Sequence, residues 1–121
     1  MFTAIVLNAA GRNALVSAAH QRGLNLPTPR TLHAHHCTLN LGRAKDINKL
    51  GSIRRLTVTG YGYTSGRVLA FRVAGAGDSK NAVPHVTVFT FGDAKPRESN
   101  EIKVWHDIPP FEIFGEVREC R

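Results

Sequence analysis

Residues 32–42 read LHAHHCTLNLG, and residues 84–91 read PHVTVFTF. Both stretches hold His-x-Thr followed by an apolar residue: His36-Cys37-Thr38-Leu39 and His85-Val86-Thr87-Val88. In an extended strand successive side chains point to opposite faces, so residues two apart share one. His36 and Thr38 therefore point one way, and Cys37, Leu39 and Leu41 the other. His85 and Thr87 stand likewise, with Val86 and Val88 behind them. Each motif pairs an imidazole, which exchanges a proton near neutral pH, with a hydroxyl that can donate to an anionic oxygen. Two such strands side by side would bring two His and two Thr to one cleft, a set suited to a phosphodiester under attack by water. A lone strand histidine is more often structural than catalytic. Two of them, each with a Thr two residues on, point to chemistry.

The rest of the chain reads as support for these strands. Residues 2–7 (FTAIVL) form a first buried strand,. After a turn at 8–11, Asn13 caps a helix over 14–22 whose Leu15, Ala18 and Ala19 make an apolar stripe, His20 faces solvent, and Gly23 supplies the stop. Residues 24–30, with Pro27 and Pro29, cannot be regular. Residues 44–50 suit one or two helical turns ended by Gly51. Strands follow at 53–59 and 68–74, joined by a wide Gly-rich loop over 60–66. In the turn 75–84, Gly75-Ala76-Gly77 lacks the following Gly-Lys-Ser/Thr of a phosphate-binding loop. A polar loop covers 92–100, a short strand or turn 101–105, and a last strand 111–117. Five to seven strands, one or two helices and no alternating βα pattern predict an α+β fold with mostly antiparallel sheets. The 121 residues, 42% apolar, suit a single domain spanning 1–121,. The two motif strands suggest two lobes whose sheets face each other across a cleft.

The formal net charge of +7 attracts polyanions without choosing among RNA, a free nucleotide and an anionic metabolite,. Cys37 and Cys120 make no disulfide framework, so both thiols are expected to be reduced. The apolar run at residues 1–7 lacks the flanks of a signal peptide, and no later run reaches the roughly 20 residues of a membrane span. A soluble, cytoplasmic monomer with no membrane partner is expected. His33, His35 and His36 invite a metal reading, but Asp46, Asp78 and Asp107 show no ligand spacing, so no metal and no cofactor are expected. Tyr61 and Tyr63, in their Gly-rich loop, could stack on a base. Lys95, Arg97, Ser99 and Asn100 follow the second motif closely enough to reach a substrate phosphate.

Two His-x-Thr strands in a small α+β chain resemble the 2H phosphoesterase superfamily, the fold of LigT-type RNA ligase/cyclic phosphodiesterases. The interval of 49 residues from His36 to His85 is similar to that of its compact members. These include the cyclic phosphodiesterase domains of fungal and plant tRNA ligases and stand-alone RNA-repair-like proteins. The stretch Lys95-Pro96-Arg97-Glu98-Ser99-Asn100 also looks like that group. The resemblance implies a metal-independent enzyme opening 2′,3′-cyclic phosphates at RNA ends or on nucleotides, with one histidine as general base and the other as general acid. It gives Thr38 and Thr87 the non-bridging oxygens to hold as charge builds. Which histidine is the base stays open. Two rivals stand beside this reading: a 2H enzyme cutting 3′–5′ or 2′–5′ linkages of nucleotide signals, as some compact phage proteins do, and a non-catalytic basic RNA-binding module.

Overall fold

The β-branched and aromatic runs form seven strands in a computed structural model that describes residues 1–22, 26, 28–77 and 79–121. The expected helix stop at Gly23, residues Leu24, Asn25 and Pro27 of the expected irregular segment and the candidate ligand Asp78 lie outside the described residues, and the last residue of that segment, Arg30, opens a strand instead. In chain order the elements are β1 (Phe2–Leu7), α1 (Ala9–Gln21), β2 (Arg30–Leu32), β3 (His36–Leu41), β4 (Ile53–Thr64), β5 (Val68–Ala74), β6 (His85–Phe91) and β7 (His106–Cys120). Two 3₁₀ turns, Ile47–Lys49 and Pro96–Glu101, complete them. Every strand pairing is antiparallel, as an α+β chain without βα alternation requires,.

The expected pair of facing sheets does not form. The strand order β2-β6-β3-β1-β7-β4-β5 is joined end to end by a further pairing of β5 with β6, so six strands close into a barrel with β2 beside β6. Closure leaves the ring no free edges from which two separate sheets could be built. The core fills the barrel: Ile5, Cys37, Leu56, Leu69, Phe71, Val86, Val88 and Ile113 are all buried. Since Cys37, Val86 and Val88 belong to that core, the opposite side of each motif strand faces outward.

Three local expectations are corrected. The helix begins at Ala9, because Asn8 rather than Asn13 is the cap, its side chain accepting from the Gly11 amide at 2.8 Å,. Gly11 thus sits inside the helix, where a Cβ would lie 3.3 Å from Ile113. The segment expected as a wide loop at 60–66 is mostly strand, since β4 runs to Thr64. Its glycines serve close approach: a Cβ on Gly60 would meet the His106 carbonyl at 2.6 Å, and one on Gly62 would meet Ile102 at 2.4 Å,. The last strand starts at His106 instead of residue 111. Its Pro109 and Pro110 fall where Val58↔Phe111 gives way to Gly60↔Asp107, in a bulge that asks no ladder bond of them,.

Candidate active site

The two motifs meet at one residue pair. β3 and β6 run antiparallel with Cys37 opposite Val86. That register sets Thr38 beside His85 and His36 beside Thr87, with all four on the barrel's outer face. Together they line a cavity of about 850 Å³ whose remaining wall includes Phe2, His33, His35, Leu41, Lys80, Asn81, Pro96, Arg97 and Asn100.

Two irregularities in the first motif shape this cavity. Leu32 lies opposite Phe89 and Cys37 opposite Val86, so four residues, 33–36, stand against two. The amides of His33 and Ala34 still reach the carbonyls of Val88 and Thr87, at 2.7 and 2.9 Å. Buried Ala34 carries a φ of 49°, a strained value for a residue with a Cβ,. Breaking the strand alternation here lets the adjacent His35 and His36 line the same cavity. A second bulge, where Thr3↔Asn40 is followed by Ala4↔Thr38, leaves Leu39 unpaired. Alternation slips by one beyond it, so Leu41, expected on the back face, lies 85% exposed at the cavity.

Long-range bonds hold the other walls. The Ser79 hydroxyl donates to the Thr38 carbonyl at 2.9 Å, and the Lys80 amide donates to the Leu39 carbonyl at 2.7 Å. These set Lys80 and Asn81 over β3. The turn Pro96–Glu101 is capped by Glu98, whose carboxylate accepts from the Lys95 amide at 2.7 Å. Glu98 also takes both arms of the Arg67 guanidinium at 2.9 Å each, tying the turn to the β4–β5 hairpin,.

The histidines differ in their second nitrogen. His85, 7% exposed, has Nδ1 at 2.7 Å from the Val83 carbonyl. A carbonyl can only accept, so Nδ1 carries the hydrogen and Nε2 is left for proton transfer. Burial lowers the pKa of His85, and the Val83 bond opposes that shift,. His36 instead has its Nδ1 at 3.1 Å from Nδ1 of His35, and its ring lies 4.7 Å from that of Phe2. Burial, followed by the charges of His35, His33 and His85, pushes its pKa down to about 4,. His33 pairs through Nε2 with the Thr90 hydroxyl at 2.9 Å, and burial lowers its pKa as well.

Thr87 is braced from behind. Its hydroxyl lies 2.7 Å from that of Ser99, which is 1% exposed, and 3.4 Å from the Pro96 carbonyl. With Ser99 donating to Thr87, the Thr87 proton has the distant Pro96 carbonyl as its acceptor and can turn from it to a ligand oxygen,. The Thr38 hydroxyl has no such brace among the described residues. Cys37 and Cys120 are both free thiols, and burial pushes the Cys37 pKa up to about 12, so this thiol stays protonated,.

Of the residues expected to touch substrate, Asn100 and Arg97 line the cavity and Ser99 stands behind Thr87. Lys95 is exposed at the start of its turn and is not in the wall. Tyr61 and Tyr63 are not brought to the cavity. They pack on the barrel core, with ring centroids 6.5 Å from Phe71 and 5.9 Å from Phe91 respectively. Phe2, Lys80 and Asn81 carried no sequence signal of a site, because only the bonds from residues 79–80 to β3 and the β1–β3 pairing bring them there. Among the described residues no group of three or more His, Cys, Asp or Glu is arranged to hold a metal ion, and no helix is long and apolar enough to cross a membrane. No protein-family model, curated protein or solved structure matches this chain.

Proposed function

We propose that this chain is a metal-independent phosphodiesterase that hydrolyses 2′,3′-cyclic phosphates of RNA ends or nucleotides by two-histidine acid–base catalysis. The observation that carries the reading is the Cys37↔Val86 register, which gathers His36, Thr38, His85 and Thr87 on one face of one cavity.

The Nδ1 partners favour a division of labour. His85 donates Nδ1–H to a carbonyl whether neutral or charged, so its imidazolium keeps that bond and suits the acid,. His36, crowded by three other imidazoles, is held neutral and suits the base. In the proposed reaction His36 Nε2 takes a proton from water as its oxygen attacks phosphorus. The P–O bond to one ribose oxygen breaks, and that oxygen receives the proton from His85 Nε2. A phosphomonoester and a free hydroxyl result, with one proton taken and one given. Thr38 and Thr87 donate to the non-bridging oxygens as charge builds on five-coordinate phosphorus. Lys80 and Arg97 supply positive charge for the anion,.

One observation favours the rival within the same chemistry: a cavity of about 850 Å³ has room for more than one nucleotide-sized group, so 3′–5′ or 2′–5′ linkages of nucleotide signals also fit,. The test is to incubate the protein in EDTA with 2′,3′-cyclic nucleotides, cyclic dinucleotides and 2′–5′ oligoadenylate, and to identify products. Turnover of the first class to monoesters is expected. Cleavage of the other two alone would install the rival, and RNA binding without any turnover would leave only a binding module.

A further inference from the structure

Beside the catalytic cavity lies a second recess of about 330 Å³, and the two share Lys80, Asn81 and Asn100 in their walls. The recess adds Val83, Ile102 and Trp105. We propose that it binds the nucleobase of a nucleotide whose phosphate sits between His36 and His85, with Trp105 as the aromatic platform. The inference rests on the phosphodiesterase reading for its substrate, and on the recess itself for its location.

Four observations converge. The cavity and the recess adjoin, with Lys80, Asn81 and Asn100 in both walls, which sets the recess within reach of a ligand whose phosphate lies in the cavity. The indole of Trp105 lies 6.2 Å from the His85 imidazole at an interplanar angle of 33°, so the aromatic surface continues directly from the proposed acid. The chemistry is mixed as a base requires: Val83, Ile102 and Trp105 offer apolar surface, and the Asn81 and Asn100 amides can each donate and accept at a ring edge,. The recess volume is at the lower end for a ligand pocket, matching one ring system rather than a whole ligand,.

The chain also makes room for this platform. A Cβ on Gly62 would meet Trp105 Cε3 at 3.0 Å and Ile102 at 2.4 Å, so the bare backbone of β4 is what lets the indole lie down,. Val68, Ala70 and Ala94 pack beneath it on the same outer face. Among the described residues no acceptor meets the buried indole N–H, and packing holds the ring.

Trp105 is the only tryptophan in the chain, which gives a readout independent of catalysis. Titrating the wild-type protein with adenosine 3′-monophosphate should quench its emission saturably, whereas glycerol 3-phosphate, which lacks a base, should not. In kinetics, kcat/KM is compared for adenosine 2′,3′-cyclic phosphate and glycerol 1,2-cyclic phosphate. Trp105→Ala should lower the nucleotide-over-glycerol ratio roughly 5- to 150-fold, the range of a lost base stack. Trp105→Phe should restore most of the ratio, and Asn100→Ala, which leaves the indole and its packing in place, should lower it by a smaller factor. Saturable binding without quenching, or an unchanged ratio in both Trp105→Ala and Asn100→Ala, would overturn the proposal. If Trp105→Ala does not fold, the wild-type quench and Asn100→Ala decide. Quenching with no hydrolysis of any substrate would refute the phosphodiesterase reading and leave the base site standing; hydrolysis without quenching would do the reverse.

Discussion

The two motif strands share the letters H-x-T and differ in almost everything that holds them. β6 is paired on both sides, by β5 on one and by β2 and β3 on the other. Its His85 leans on a backbone carbonyl, and its Thr87 on a buried serine. β3 is interrupted by a bulge on either side of its motif, His36 faces another imidazole, and Thr38 has no brace among the described residues. Equal motifs therefore need not do equal work. A carbonyl partner supports a charged imidazole, whereas a neighbouring imidazole opposes one, and that difference underlies the proposed division into acid and base.

The largest test of this comparison removes each histidine in turn. His36→Ala and His85→Ala should each lower turnover about 10²-fold or more, the usual worth of a general base or acid. Steady-state kinetics on the best substrate, with circular dichroism to check the fold, measures both. Near-wild-type activity in either variant would break the pairing of the two motifs.

Removing the hydroxyls should cost less and should expose the asymmetry in bracing. Thr38→Ala and Thr87→Ala are expected to lower kcat by up to about 10²-fold, the low end for loss of one oxyanion donor. Ser99→Ala should act through Thr87, at up to about 10-fold for one hydrogen bond, with its effect vanishing in a Thr87→Ala background. A full Ser99 effect on top of Thr87→Ala would show that Ser99 acts on something else.

The pH profile sharpens the comparison at smaller amplitude. If His36 is the base and His85 the acid, as proposed, acid protonates the one and alkali deprotonates the other, so kcat/KM should follow a bell. Burial depresses both groups from 6.5, His36 to about 4, so in the free enzyme both limbs should lie below 6.5, with the apparent values belonging to the pair,. A bound phosphate anion favours imidazolium, so the limbs under kcat should lie higher. His35→Ala removes both a neighbouring charge and the Nδ1 partner of His36. Its acid limb should move up in pH, with kcat falling by about 10-fold at most. A rate rising to a plateau above pH 9 would remove the histidine pair from the mechanism.

What the sequence discloses follows from the range of the interactions involved. The motif faces were legible because strand alternation is local, and His36, Thr38, His85 and Thr87 do share a face. The barrel was not legible, since closure depends on β5 finding β6, a pairing no motif announces. Gly11, Gly60 and Gly62 read as turn residues, but their absent Cβ atoms serve contacts with β7, Arg72 and Trp105. The side taken by Leu41 is not legible from alternation, because one unpaired residue, Leu39, reverses every face beyond it,. Lys80 and Asn81 reach the cavity only through bonds to the backbone of Thr38 and Leu39.

The most direct test of the central claim is to follow a nucleoside 2′,3′-cyclic phosphate by phosphorus NMR, with the wild-type protein in excess EDTA. The account predicts that the cyclic resonance is replaced by a single phosphomonoester isomer, since base and acid stand at fixed positions around one phosphorus. Persistence of the cyclic resonance, or a mixture of 2′- and 3′-monoesters like that from hydroxide alone, would contradict it.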